Sequence, residues 1–478
     1  MSQLTQPTGT PLLQPDRRND QGLSCDIPCS RTPIYILDDD SLLNIFYHSR
    51  PVLIEDTEVD NDYVLEGGAW DRERWWYKLV QVCRRWRYLI LRSASYLQLC
   101  LVCTYGTPLA EMLLHSPPFP LIIDHIDENH YITAEDEERV MLALRHRNRL
   151  RRIRLLMPLP NLQKFIVAVD DEFPILEFLY LEAQSRDLTQ MSLTLPTTFR
   201  APRLSHLVLH SFGFPIRSPL LTTPNGLVTL SLQRIHPSTS FRPNELLQRL
   251  SHMPQLETLG IAFRCYFPSS DIVRELSDMS TMTHATLPNL RWLGFGGPIA
   301  YLEAFLPRIT TPLLEKFQLR FANEPTFSLP RLLQFMKTTK NLRMNAAQFY
   351  FDDSGIDVKV SSMAQIFDDL SPVFSTVEHL ALTYAKDDLS PEEYNEADRS
   401  HWRKLLRPFR NVKALLVNNE LVGEVVRCLR LEDGELPLEL FPELKELSYS
   451  ASDDAADGFR RFIDARRVAG HPVNLIRR

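Results

Sequence analysis

The sequence predicts an α/β fold: a short N-terminal helical module followed by an irregular leucine-rich-repeat solenoid, a curved parallel sheet with helices on its convex side. Three observations predict it. A hexad of the form Leu-x-x-Leu-x-Leu recurs from Leu150 to Leu444, usually with a proline shortly before it. Helix-like stretches such as 244–250 and 331–336 lie between the hexads. Residues 33–95 lack the hexad and instead place aromatic and aliphatic residues at three- and four-residue steps. A chain of 478 residues is too long for one compact core, which leaves two or three domains or one elongated array of repeats.

Taken from the start, Met1 to Asp26 is rich in Thr, Pro, Gln, Arg and Asp and has no apolar stretch of the kind a secretory signal needs. Residues 1–32 are expected to form a disordered tail. In 39–47, Asp39, Asp40 and Ser41 precede Leu42, Leu43, Ile45 and Phe46. Acidic and hydroxyl groups at that position satisfy free backbone N–H groups and oppose the helix dipole, so a helix starts there. Residues 50–68 read as an acidic loop (Glu55, Asp56, Glu58, Asp60, Asp62). A second helix is expected to carry Trp76, Leu79, Val80, Cys83 and Trp86 on one face. Residues 96–149 are expected to connect, ending in a capping helix. There Thr133 pairs with Asp136, acids fill the first turn, and the arginines of 145–154 close the last turn.

The solenoid is expected over 150–478. Hexads begin at Leu150, Leu176, Leu204, Leu227, Leu256, Leu290, Leu314, Val377, Val412 and Leu444, with a degraded copy at Leu342. Their mean spacing, about 29 residues, lies at the top of the leucine-rich range. In a strand, alternate side chains face opposite ways, so the last two apolar positions of each hexad point to the core. A single strand and helix cannot bury its own apolar face, whereas stacked neighbours can. Nine residues into the hexads, where an asparagine ladder is common, stand Pro158, Gln184, Phe212, Ile235 and Arg264, so the turns must satisfy their backbone groups another way.

The residues Leu37-Asp38-Asp39-Asp40-Ser41-Leu42-Leu43-Asn44-Ile45-Phe46 and Val80-Gln81-Val82-Cys83-Arg84-Arg85-Trp86 resemble the opening and the later Val-Cys-basic-x-Trp signature of the fungal F-box proteins. Two features depart from the family pattern: Asp38 stands where proline is usual, and the loop from Arg50 to Arg74 is long. The resemblance implies a substrate-recognition subunit of an SCF-type ubiquitin ligase. Its F-box helices would dock on the Skp adaptor, and so on a cullin scaffold, while the repeats hold an unknown protein substrate. The implied adaptor-binding residues are Leu37, Leu42, Leu43, Ile45, Phe46, Val82, Cys83 and Trp86. A rival reading is a leucine-rich-repeat interaction scaffold without a ubiquitin ligase link, its helices only capping the array.

On the outward face of the sheet, register places Arg152, Arg154, Phe178, Tyr180, His206, Val208, Thr258, Trp292, Lys316, Gln318, His379 and Glu446. Phe178, Tyr180 and Trp292, if exposed, would anchor a bound protein, with His206, Lys316 and His379 beside them, because binding energy concentrates in aromatic and charged anchors. Other signals fall away. Cys100 and Cys103 lack the companion ligands zinc needs and read as core thiols. Gly294, Gly296 and Gly297 lack the lysine of a phosphate loop and read as a turn. No nucleophile elbow, zincin or kinase signature occurs, so no catalysis, metal or cofactor is expected. A net charge of −7 argues against nucleic acid, and no uninterrupted apolar run is long enough for a membrane span. Seven cysteines, an odd number, suggest reduced thiols in an intracellular protein, cytoplasmic or nuclear.

Overall fold

The computed structural model describes residues 36–51, 74–126, 132–184, 193–213, 216, 218–222, 226–235, 241–263, 283–320, 330–339, 346–351, 371–384, 399–418, 421–431, 435–450 and 454–477. The expected tail, all but the first two residues of the acidic loop, and the first four residues of the degraded hexad at Leu342 lie outside them, while its last two, Ala346 and Ala347, open a strand.

The first helix, α1 (Asp39–His48), begins as its acids require. Asp38 sits in extended backbone and its carboxylate accepts a hydrogen bond from the Ser41 N–H at 2.6 Å, so Asp38 works as the helix cap. Leu42 and Phe46, four residues apart, are buried. The single second helix expected from the 76–86 spacing is instead two: α2 (Trp75–Leu79) and α3 (Arg84–Arg92). Between them the β-branched Val80 and Val82 flank a turn, and Cys83 is extended (φ −158°, ψ 170°), its sulfur accepting from the Trp86 N–H at 3.5 Å. This break brings Trp86 edge-on to Phe46, with ring centroids 4.8 Å apart.

The described strands form two large parallel sheets. In the first, nine strands follow chain order: β1 (Leu101–Cys103), β2 (Leu121–His125), β3 (Leu150–Pro158), β4 (Phe178–Gln184), β5 (His206–His210), β6 (Thr229–Ile235), β7 (Thr258–Phe263), β8 (Trp292–Gly296) and β9 (Lys316–Arg320). In the second, five do: β10 (Ala346–Phe351), β11 (His379–Tyr384), β12 (Ala414–Asn418), β13 (Glu446–Ser450) and β14 (Asn474–Arg477). Each well-formed hexad after the first enters its strand at the third residue, and the registers align: Phe178 opposite His206, then Thr229, Thr258, Trp292 and Lys316. The fourth and sixth hexad positions, among them Leu179, Leu181, Leu207, Leu209, Leu230, Leu232, Leu259 and Ile261, point inward and are buried. Each such side chain contributes about 1.5–3 kcal/mol. Against them pack helices including Leu159–Ala168, Pro243–Leu250, Ile299–Phe305 and Leu421–Leu429; the helix expected over 244–250 is in place.

The sheet starts earlier than the first hexad. Strands β1 and β2 lie inside the 96–149 stretch expected only to connect, together with the capping helix Ala134–Leu144 and its Thr133–Asp136 box. That helix ends at Leu144, and the basic stretch beyond it is not its last turn: Arg147–Arg149 forms a 3-10 turn, and Arg151 and Arg154 lie on β3, paired with Glu177 at 2.8 Å and Asp124 at 3.1 Å.

The missing asparagine ladder has a replacement. Carbonyls in the turn before one strand are met by side chains of the next unit: Arg149 donates to Phe119 O (2.9 Å), Asn289 to Pro254 O (3.0 Å), Asn411 to Ser375 O (2.6 Å) and Arg466 to Pro442 O (2.9 Å). Arg466 has no exposed surface and also reaches Pro437 O and Leu444 O. The two terminal nitrogens of this buried guanidinium thus satisfy three backbone carbonyls.

Candidate functional site

Two surfaces hold the residues that the sequence singled out. On the helical module, the eight adaptor-binding candidates divide. Leu42 and Phe46 belong to the main core, packed with Trp76, Leu89 and Ile90. Leu37, Leu43, Cys83 and Trp86 are half-buried, whereas Ile45 and Val82 are exposed, at 45% and 59%.

On the first sheet, the face opposite the core presents successive ranks of side chains. One rank runs Arg152, Phe178, His206, Thr229, Thr258, Trp292, Lys316; the next runs Asp124, Arg154, Tyr180, Val208, Ser231, Gly260, Gly294, Gln318. Phe178 stacks on the His206 ring at 5.7 Å, and Tyr180, Val208, Leu156 and Ile126 make a small apolar cluster separate from the main core. His379 is exposed but lies on the second sheet, in β11, so the six substrate-binding candidates are not one patch.

The expectation of exposed aromatic anchors is corrected. Tyr180 is 3% exposed and Trp292 9%; Phe178 is half-buried, while His206 is half-buried and Lys316 exposed. The reason for Trp292 lies in its neighbours. A Cβ added to Gly294 would run into the Trp292 indole, and one added to Gly260 would meet the same ring, the Gln233 amide and the Ser231 hydroxyl. The indole therefore lies flat over two glycine positions of β7 and β8. Gly294 and Gly296, read as a turn, are strand residues, and Gly294 makes room for that ring; Gly297 alone adopts a positive φ, 146°.

Beyond the hexads, the same face carries an ionic group that sequence reasoning missed. The Tyr180 hydroxyl donates to Glu182, and His210 lies 3.5 Å from the same carboxylate. Burial alone would raise the Glu182 pKa. The hydrogen bond and charge of His210, with the Tyr180 hydroxyl and the Arg234 charge, outweigh that and hold it down at about 2. Arg234 reaches this position from a left-handed backbone conformation (φ 53°) beside a register shift between Leu232 and Ile235. The available signal was period-two alternation carried one step past the hexad, where Glu182 and His210 sit on adjacent strands.

On the core side, β1 and β2 carry a second missed group. Cys103 Sγ lies 4.0 Å from His125 Nε2, and the Tyr105 ring stands edge-on to the imidazole at 4.5 Å. Burial pushes the Cys103 thiol up to about 12 and the His125 imidazole down to about 4. Both are thus neutral at pH 7, and the thiol is a poor nucleophile. Cys100 packs on the opposite face with Val102 and Ile122, so the sheet separates the two thiols. Both cysteines are free and buried, as expected of core thiols. Among the described residues, no group of three or more His, Cys, Asp or Glu could hold a metal ion, and no helix is long and apolar enough to cross a membrane.

No protein-family model matches the chain, and no curated protein matches it. Among solved structures it resembles a crystal structure of a protein from Bacteroides fragilis, at 13% identity and a TM-score of 0.24. The likeness covers 57% of this chain, which spans 65% of that protein's length. A likeness this weak bears on neither mechanism nor partners.

Proposed function

We propose that the chain is a non-catalytic substrate receptor of an SCF-type ubiquitin ligase. In this reading an F-box-like helical module docks on the Skp adaptor, and a leucine-rich-repeat solenoid holds the target protein. The observation that carries it is the in-register run of parallel strands in chain order behind an N-terminal group of helices whose Ile45 and Val82 face water. Parallel strands that each add one rank of outward side chains build an extended surface suited to protein recognition. Here that surface mixes the half-buried Phe178 and His206 with the exposed Lys316 and the Glu182–His210 pair.

Capture of purified Skp adaptor by the full chain tests the reading. Ile45→Asp with Val82→Asp should abolish capture without lowering the melting temperature, since both side chains are already exposed. Undiminished capture by that variant would contradict the docking face. A second reading, the leucine-rich interaction scaffold without a ligase link, is favoured by the complete burial of Leu42 and Phe46, which makes the module a cap on the array. Under it, the adaptor is not captured by the wild-type chain either.

A further inference from the structure

We infer that the exposed face of α3 binds an acidic protein surface, an assignment that rests on the docking reading above and adds the chemistry of the partner. Residues 74–99 carry Lys78 and five arginines and no acidic residue, in a chain of net −7; the intervening 52–73 carry eight acidic residues and one arginine, and residues 36–51 add Arg50 and three aspartates. Two of those aspartates are engaged: Asp38 caps α1, and Asp39 accepts from Arg85 at 2.6 Å. Arg84, Arg87, Tyr88 and Arg92 then recur at helical spacing, and all four are exposed. Arg84, Arg87 and Arg92 have no carboxylate partner among the described residues.

Two of these side chains are held in place before any partner arrives. Arg87 Nε donates to Val80 O at 2.9 Å, and the Arg92 guanidinium lies over the Tyr88 ring at 5.5 Å while donating to its hydroxyl. Fixing such side chains in advance lowers the entropy cost of binding. Val82 stands in the turn that Arg87 grips, so cationic and apolar groups share one ridge. An acidic protein surface can answer both. A nucleic-acid backbone answers charge alone, and the net negative chain repels it.

Fluorescence anisotropy of a labelled poly-glutamate peptide with the full-length chain at low salt tests the assignment, with duplex DNA as the competing probe and purified Skp adaptor as a third. Saturable peptide binding should weaken about tenfold or more in Arg84→Glu/Arg87→Glu/Arg92→Glu, and less in the triple Gln variant, at unchanged melting temperature. Adaptor capture, where it occurs, should weaken in parallel. No peptide binding, equal binding by the charge-reversed chain, or tighter binding of duplex DNA would each overturn it. So would peptide binding that arises only after Glu55, Asp56, Glu58, Asp60 and Asp62 are neutralised, since the chain would then be its own partner. Adaptor capture insensitive to the reversal sinks this assignment and spares the docking reading. Ridge-dependent peptide binding without any adaptor capture does the reverse.

Discussion

His125 occupies the sixth, core-facing position of its unit, where β3, β4 and β5 carry Leu155, Leu181 and Leu209. It is fully buried, and its Nδ1 has no hydrogen-bond partner among the described residues. Around it stand the neutral Cys103 and Tyr105, with Asp136 favouring and Arg139 opposing a charge on the ring. Desolvation dominates and holds the imidazole at about 4, against 6.5 for an ordinary histidine. The folded state therefore resists a proton that the unfolded chain accepts. Its contribution is fully present above pH 6.5 and disappears as the pH falls from 6.5 to 4. At about 1.4 kcal/mol per unit, the loss is about 3 kcal/mol. His125→Leu removes both the titrating ring and its orphaned nitrogen, so it should flatten this part of the stability profile and leave the protein at least as stable at pH 7. Urea denaturation of the two proteins at pH 7.0, 6.0, 5.0 and 4.5, followed by circular dichroism, reads the difference directly and cancels the carboxylates common to both. Parallel stability curves for wild type and variant over that range would refute the reasoning.

Leu259, in mid-sheet and without exposed surface, should cost about 2–5 kcal/mol when changed to Ala, measured by chemical denaturation; no loss would mean the hexad's fourth position does not face the core. Gly294→Ala should displace the Trp292 indole, cost about 1–3 kcal/mol and shift tryptophan fluorescence to the red, and an unmoved spectrum would contradict the packing over β7 and β8. Glu182, held down at about 2, adds stability that is present above pH 4.5 and lost as the pH falls towards 2. Glu182→Gln should remove that acid-range loss, and an unaltered acid-unfolding profile would count against the Tyr180–His210 pairing.

The hexads were legible because leucines at their fourth and sixth positions satisfy period-two burial locally, with no help from distant residues. Strands β1 and β2 were not, because Cys103 and His125 stand at core positions where other units have leucine or isoleucine. The α2–α3 break was hidden by a spacing that one continuous helix satisfies equally well; only the extended Cys83 reveals the turn. Trp292 sits at an outward position, as its register requires. Its burial depends on Gly260, which lies on β7 and 32 residues away in sequence, a relation no local pattern carries. The exposure of Ile45 beside the buried Leu42 and Phe46 likewise depends on which flank of α1 meets α3.

The reach of Arg149, Asn289, Asn411 and Arg466 back to carbonyls of the preceding unit gives the array a direction. Every unit that receives such a side chain is finished by its successor. Cutting the chain after one of them strips the new terminus of a donor and leaves acceptors facing either solvent or nothing. Shortening from the C-terminal side should thus loosen the last remaining unit first, whereas internal duplication of a whole unit, donor included, would preserve the relay.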